Sequence, residues 1–133
     1  MEQDALTVAV TGGRVEGVQR RGLRMWRGIP YAASTAGENR FRAPQPVVPW
    51  QGVRPAFQFG PIAPQDRGTL APGPSSLGSS SEDCLTLNVI APRFESRRLR
   101  PVMVYLHGGA YAVGSSREMP QQGEGLVREG GVV

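Results

Sequence analysis

The sequence predicts an α/β fold, incomplete as a domain, in which antiparallel opening strands lead into a central, mostly parallel sheet. Three observations predict it. The first thirty residues hold short alternating segments separated by glycine turns, the pattern of an antiparallel meander. Residues 101–106, Pro-Val-Met-Val-Tyr-Leu, form a nearly continuous apolar run, which is what a strand covered on both faces requires. That run passes directly into His107-Gly108-Gly109, a glycine loop at the carboxyl end of a strand, where open α/β sheets place their ligand chemistry.

The elements follow in order. Residues 7–10 alternate weakly and reach Gly12-Gly13; residues 14–18 alternate again, so two short strands flank a glycine turn. Residues 23–29 read as a third strand with Leu23, Met25, Arg27 and Ile29 on one face, closed by Pro30. Eight prolines then punctuate residues 31–81, with Phe41, Trp50, Phe57 and Phe59 between them. Aromatics set between prolines suggest an ordered loop that wraps a core. Within it, residues 68–81 (from Gly68 to Ser81) are Gly, Pro and Ser with little apolar content and are expected to be the mobile part. Leu85, Leu87 and Val89 alternate with Thr86, Asn88 and Ile90 in a strand that Pro92 ends. A helix is expected near residues 121–128, and Val132-Val133 look like the first step into another buried strand.

Composition narrows the function classes. The chain has 133 residues, 39% of them apolar, with 18 glycines and 12 prolines, a low apolar share for a self-contained domain. No stretch approaches the roughly 20 apolar residues of a membrane span. The polar, acidic start lacks the features of a secretion signal, so the expectation is a cytoplasmic protein with no membrane partner. One cysteine, Cys84, excludes an intrachain disulfide, and without a Cys or His cluster no metal site or cofactor is expected. All 15 basic residues are arginines, giving a formal charge of +4. They sit in two loose clusters without a zinc-finger, RNP or helix-turn-helix pattern, so they read as solvated surface and no nucleic-acid partner is expected.

The chemistry concentrates after the apolar run. Glycines let a backbone approach a ligand closely, and successive peptide N–H groups turned to one spot can stabilise the oxyanion of an acyl-transfer intermediate. Taken alone, His-Gly-Gly after a strand is equally a tight turn. Glu82 and Asp83, adjacent and acidic, raise the question of acid/base work.

The stretch Ser81-Glu82-Asp83-Cys84-Leu85-Thr86-Leu87-Asn88-Val89 resembles the E-D-C-L-x-L-N-V signature of type-B carboxylesterases and cholinesterases. Other motifs fall in that family's order. Arg27-Gly28-Ile29-Pro30-Tyr31-Ala32 is similar to its G-I-P-Y-A strand. Arg40-Phe41 through Pro46, then Pro49-Trp50-Gln51-Gly52-Val53, is similar to its R-F and P-W-x-G-V stretch. Residues 101–114 are similar to its strand and H-G-G loop. The resemblance covers about residues 7–133 and, with alanine at 110, points to the bacterial, para-nitrobenzyl-esterase-like branch.

The resemblance implies the N-terminal quarter of an α/β-hydrolase that acts on a small carboxylic ester through a serine acyl-enzyme. It implies that the backbone N–H groups of Gly109 and Ala110 form the oxyanion hole. His107 and Gly108 then belong to the loop scaffold, and Tyr111 either borders the acyl pocket or packs. Arg40 pairs with Glu82 in a buried or half-buried bridge, and Cys84 is a free, core-facing thiol. No G-x-S-x-G occurs, and the single histidine lies in the loop, so nucleophile, acid and base are absent from these residues and activity by this chain alone is not expected. The alternative reading is a non-catalytic remnant or interaction module that keeps the fold.

Overall fold

The computed structural model describes residues 6–65, 78–94, 96, 98–118 and 120–133, with no side-chain description for 120–122. Among the described residues there are six strands, one α-helix and a short 3-10 turn (Gly37–Asn39): β1 (Thr7–Val10), β2 (Gly13–Glu16), β3 (Val18–Arg20), β4 (Leu23–Pro30), β5 (Val53–Pro55), β6 (Thr86–Pro92) and α1 (Pro120–Gly130). They build two three-stranded sheets, ordered β1-β2-β5 and β3-β4-β6. The expected second strand is split at Gly17, where an added Cβ would meet the Trp26 ring and the Met25 carbonyl. The chain turns there from one sheet into the other.

The Gly12-Gly13 turn has a further cause. The Trp50 ring lies against both glycines, and a Cβ on Gly12 would fall 2.1 Å from it. Trp50 N donates to Gly12 O and Trp50 Nε1 to Arg14 O, both at 2.9 Å. The proline-rich segment is therefore tied back onto the first hairpin, and β5 pairs in parallel with β2. Ala56, buried, joins the sheets: its N–H donates to Glu16 O, and its carbonyl accepts from Arg27 N.

β4 is covered on both faces. Leu23 and Met25 pack with Val127 of α1, while Trp26 and Ile29 pack with Val15, Ala56 and Ala91. This corrects the expected face of Leu23, Met25, Arg27 and Ile29. Trp26 pairs with Val89 but Ile29 with Leu87, so three steps on β4 oppose two on β6. This β-bulge moves Ile29 to the Trp26 side. Gly28 occupies the bulge at φ +69°, and a Cβ there would lie 2.7 Å from Gln58 O. The Gly28 N–H, turned out of the ladder, donates to Asn88 Oδ1 at 3.0 Å.

Residues 101–106 do not form the expected buried strand. Val102, Val104 and Leu106 are 71%, 78% and 84% exposed. A strand apolar on both faces needs neighbours on both edges and helices on both sides. Among the described residues only Val133 reaches this backbone: its N–H donates to Pro101 O, and its carbonyl accepts from Met103 N. Bonding to residues on either side of Val102 is the parallel pattern. Residues 101–103 and Val133 thus meet in the parallel sense on either side of α1, but among the described residues neither segment forms a strand, including the one expected at Val132-Val133.

Of the expected mobile segment, residues 68–77 lie outside the described residues. Its described end is pinned, with Ile62 N donating to Ser79 O and Ser81 N to Ile62 O. The wrapping loop packs Trp50 against the core and sets the Phe59 ring beside Arg27 and Arg117, whereas Phe41 is 95% exposed. Among the described residues no helix is long and apolar enough to cross a membrane, and no group of three metal-ligating side chains occurs.

Candidate oxyanion loop

The loop after residues 101–106 is shaped by backbone that only part of its sequence favours. Gly109 has φ +125°, Ala110 +52° and Tyr111 +60°. Gly109 O accepts from Ala112 N at 2.9 Å and from Val113 N at 3.1 Å, closing a tight turn over two left-handed residues. Position 109 must be glycine, because a Cβ would sit 1.7 Å from Val113 O. The left-handed backbone at Ala110 and Tyr111 costs about 1–2 kcal/mol each and persists only where the surroundings enforce it. Gly109 and Ala110 N–H have no acceptor among the described residues.

His107 Nδ1 lies 2.7 Å from Gly108 O. A carbonyl only accepts, so this contact puts the proton on Nδ1 and makes the ring a prop of the loop. At Gly108 a Cβ would meet nothing within 4 Å, so space does not demand glycine there. Tyr111 is fully exposed. A cavity of about 530 Å³ is lined by residues including Arg27, Ala32, Val48, Phe57 and Thr86, and none of its lining belongs to residues 107–114.

The loop's exit is held firmly. Gly114 N donates to Gln65 Oε1 at 2.9 Å, and Gln65 Nε2 donates to Gly114 O at 3.1 Å. Asn88 Nδ2 donates to Ser116 Oγ at 2.9 Å. Arg117 NH2 donates to Phe59 O and Gly60 O at 3.1 and 2.9 Å. Ser115, buried, accepts Arg117 N at its hydroxyl, while its own N–H donates to Glu118 Oε1 at 2.7 Å. Phe59-Gly60-Pro61 and Pro64-Gln65 fall in the family's motif order, but sequence reasoning gave Gln65 no role and did not single out Arg117. Their partners lie 49 and 57–58 residues away, and no local pattern announces such contacts.

Arg40 Nε lies 2.7 Å from Glu82 Oε1, with the side chains 59% and 32% exposed. The pair sits in water's reach on the arginine side, so the buried-pair energetics do not apply, and a contribution of about 0–1 kcal/mol is appropriate. Cys84 is a free, half-buried thiol. Burial pushes its pKa up; a backbone hydrogen bond opposes this, and the charges of Asp83 and Glu82 add to it.

A sequence model of the carboxylesterase family matches residues 4–133. The chain belongs to the carboxylesterase family. It is 41% identical over 121 residues to the para-nitrobenzyl esterase of Bacillus subtilis, covering 91% of this chain and 24% of that protein. It is 39% identical to the phenmedipham hydrolase of Pseudarthrobacter oxydans, covering 92% and 25%. A solved para-nitrobenzyl esterase structure superposes with a TM-score of 0.81 at 41% identity, covering 95% of this chain and 25% of that one. A Geobacillus stearothermophilus carboxylesterase gives 0.79 at 36% identity, with 96% and 25% covered.

The fold is thus the opening part of an α/β-hydrolase, and the chain spans about a quarter of the length of these carboxylesterases. In this carboxylesterase chain the bulge glycine of Gly28-Ile29-Pro30 and the asparagine of Leu87-Asn88-Val89 are two halves of one structural feature.

Proposed function

We propose that this chain supplies the oxyanion-binding loop of a carboxylic-ester hydrolase, with the backbone N–H groups of Gly109 and Ala110 as donors. One observation carries the reading: those two N–H groups have no acceptor among the described residues, in a turn fixed by a glycine that cannot be replaced. Donors fixed in place by the turn and free of a protein acceptor need only give up their water when negative charge develops on a tetrahedral intermediate, and one such donor is worth about 3 kcal/mol. His107, with Nδ1 on Gly108 O, serves the loop and not proton transfer. The serine nucleophile and its base come from residues other than these 133, and the substrate is a small carboxylic ester. Tyr111, exposed beside the donors, borders the acyl side of the substrate.

The test replaces the matching quarter of the Bacillus subtilis para-nitrobenzyl esterase with this chain. The amide at residue 110 is then exchanged for an ester, which replaces its N–H by an oxygen and weakens Gly109 O as an acceptor. The same exchange at residue 112, which removes one of the N–H groups bonded to Gly109 O, is the control for the second effect. Hydrolysis of a p-nitrophenyl ester should lose about 100-fold in kcat with KM little changed. An unaltered kcat overturns the proposal.

A further inference from the structure

We infer that Gln65 is a positioning residue for the oxyanion loop, an assignment that rests on the reading above. Its side-chain amide takes both backbone groups of Gly114, accepting from N–H at 2.9 Å and donating to C=O at 3.1 Å. The same Nε2 donates to Ala63 O at 3.1 Å. Three partners fix the amide's orientation, since Gly114 N–H requires the oxygen and two carbonyls require the nitrogen. An amide that pairs with both groups of one residue acts as a short piece of strand, and it sets where Gly114 lies. Gly114 in turn is confined: at φ +107° a Cβ would meet Gly108 O at 2.5 Å and His107 Nδ1 at 2.7 Å. Gly114 therefore closes on the start of the loop, and fixing it fixes the ends of the turn that carries Gly109 and Ala110.

The base under Gln65 is rigid. Ile62, three residues before it, is buried and bridges Ser80. Phe59 and Gly60 in the same segment accept from Arg117, three residues beyond Gly114. Residues 59–65 thus grip the loop's exit twice. On the entry side, residues 101–106 have only the two bonds with Val133 among the described residues. The loop takes its position from its exit, and of the exit contacts that of Gln65, on Gly114, is the nearest in sequence to the donors.

Two variants separate hydrogen bonding from packing: Gln65→Ala, and Gln65→Met, which keeps the length and volume without the amide. In the hybrid esterase both should lower kcat for a p-nitrophenyl ester by about 100-fold, as expected for a small misplacement of catalytic groups, with KM within about twofold. In this chain the Ala112 and Val113 amides, bonded to Gly109 and not to Gln65, should exchange about tenfold faster, with β4–β6 amides unchanged. Wild-type kcat in Gln65→Met, or unchanged Ala112 and Val113 exchange, overturns the assignment. Should the amide-to-ester change at 110 lower kcat while Gln65→Met does not, only the role of Gln65 fails. Should neither lower it, the oxyanion reading fails as well. A hybrid that does not fold leaves the exchange measurement to decide.

Discussion

At Gly109 a methyl group would collide with a backbone oxygen that cannot rotate aside, because Val113 O stands 1.7 Å from the Cβ position. Gly109→Ala should open the turn, exposing the Ala112 and Val113 amides to exchange and lowering the thermal midpoint. Ala110→Gly behaves differently. It relieves left-handed strain of about 1 kcal/mol and returns a similar amount in unfolded-chain entropy, so stability should change by less than about 0.5 kcal/mol. Glu82→Gln should cost no more than about 1 kcal/mol in chemical denaturation, given the exposure of Arg40. Cys84 gives a pH test. Its raised pKa means the folded chain keeps the thiol proton to higher pH than the unfolded chain. The associated stability is full below the unfolded pKa and is lost as pH rises through the folded one. Iodoacetamide at pH 8.5 should modify folded Cys84 more slowly than denatured Cys84, and equal rates would contradict the shift.

The bulge in β4 decides how the elements meet. Asn88 accepts from Gly28 N at the bulge and donates to Ser116 beyond the loop, so one side chain serves both the sheet and the site. Asn88→Ala strands the Gly28 N–H and should cost about 1–3 kcal/mol, read as a lower thermal midpoint. Asn88→Asp keeps the acceptor and should recover most of the loss. Such a feature is not legible locally. Alternation shows that residues 23–29 form a strand, but the extra residue becomes visible only once β6 is laid beside it. The β1–β2 hairpin, β6 and α1 were readable because period and turn residues are local signals, whereas β5 and its parallel pairing with β2 were not. Gln65 was unreadable as a loop holder for the opposite reason, its partner Gly114 lying 49 residues on. The Arg40–Glu82 pairing was expected from the family motifs as buried or half-buried; Glu82 is half-buried and Arg40 exposed, since a motif says which residues meet and little about what covers them.

For the whole molecule the deciding feature is the apolar run at 101–106. The sequence pattern is that of an interior strand, and in this chain, a quarter the length of its relatives, the run lies exposed with a single bonded neighbour among the described residues. The same substitution must then have opposite effects in two settings. In the isolated chain, Val102→Lys with Val104→Lys places charge on an open edge. It should reduce self-association and the binding of a hydrophobic dye while leaving β4–β6 amide protection intact. In the hybrid esterase the two valines should be interior, as the apolar pattern of residues 101–106 requires. Each then forfeits about 1.5–3 kcal/mol of burial, and each ammonium adds a desolvation cost of several kcal/mol. The total is comparable with the roughly 5–15 kcal/mol that stabilises a domain. The doubly substituted hybrid should therefore not accumulate as folded enzyme. If it folds and hydrolyses p-nitrophenyl esters at the unsubstituted rate, residues 101–106 are not an interior strand of the complete domain, and the loop that follows them is not held at the end of its sheet.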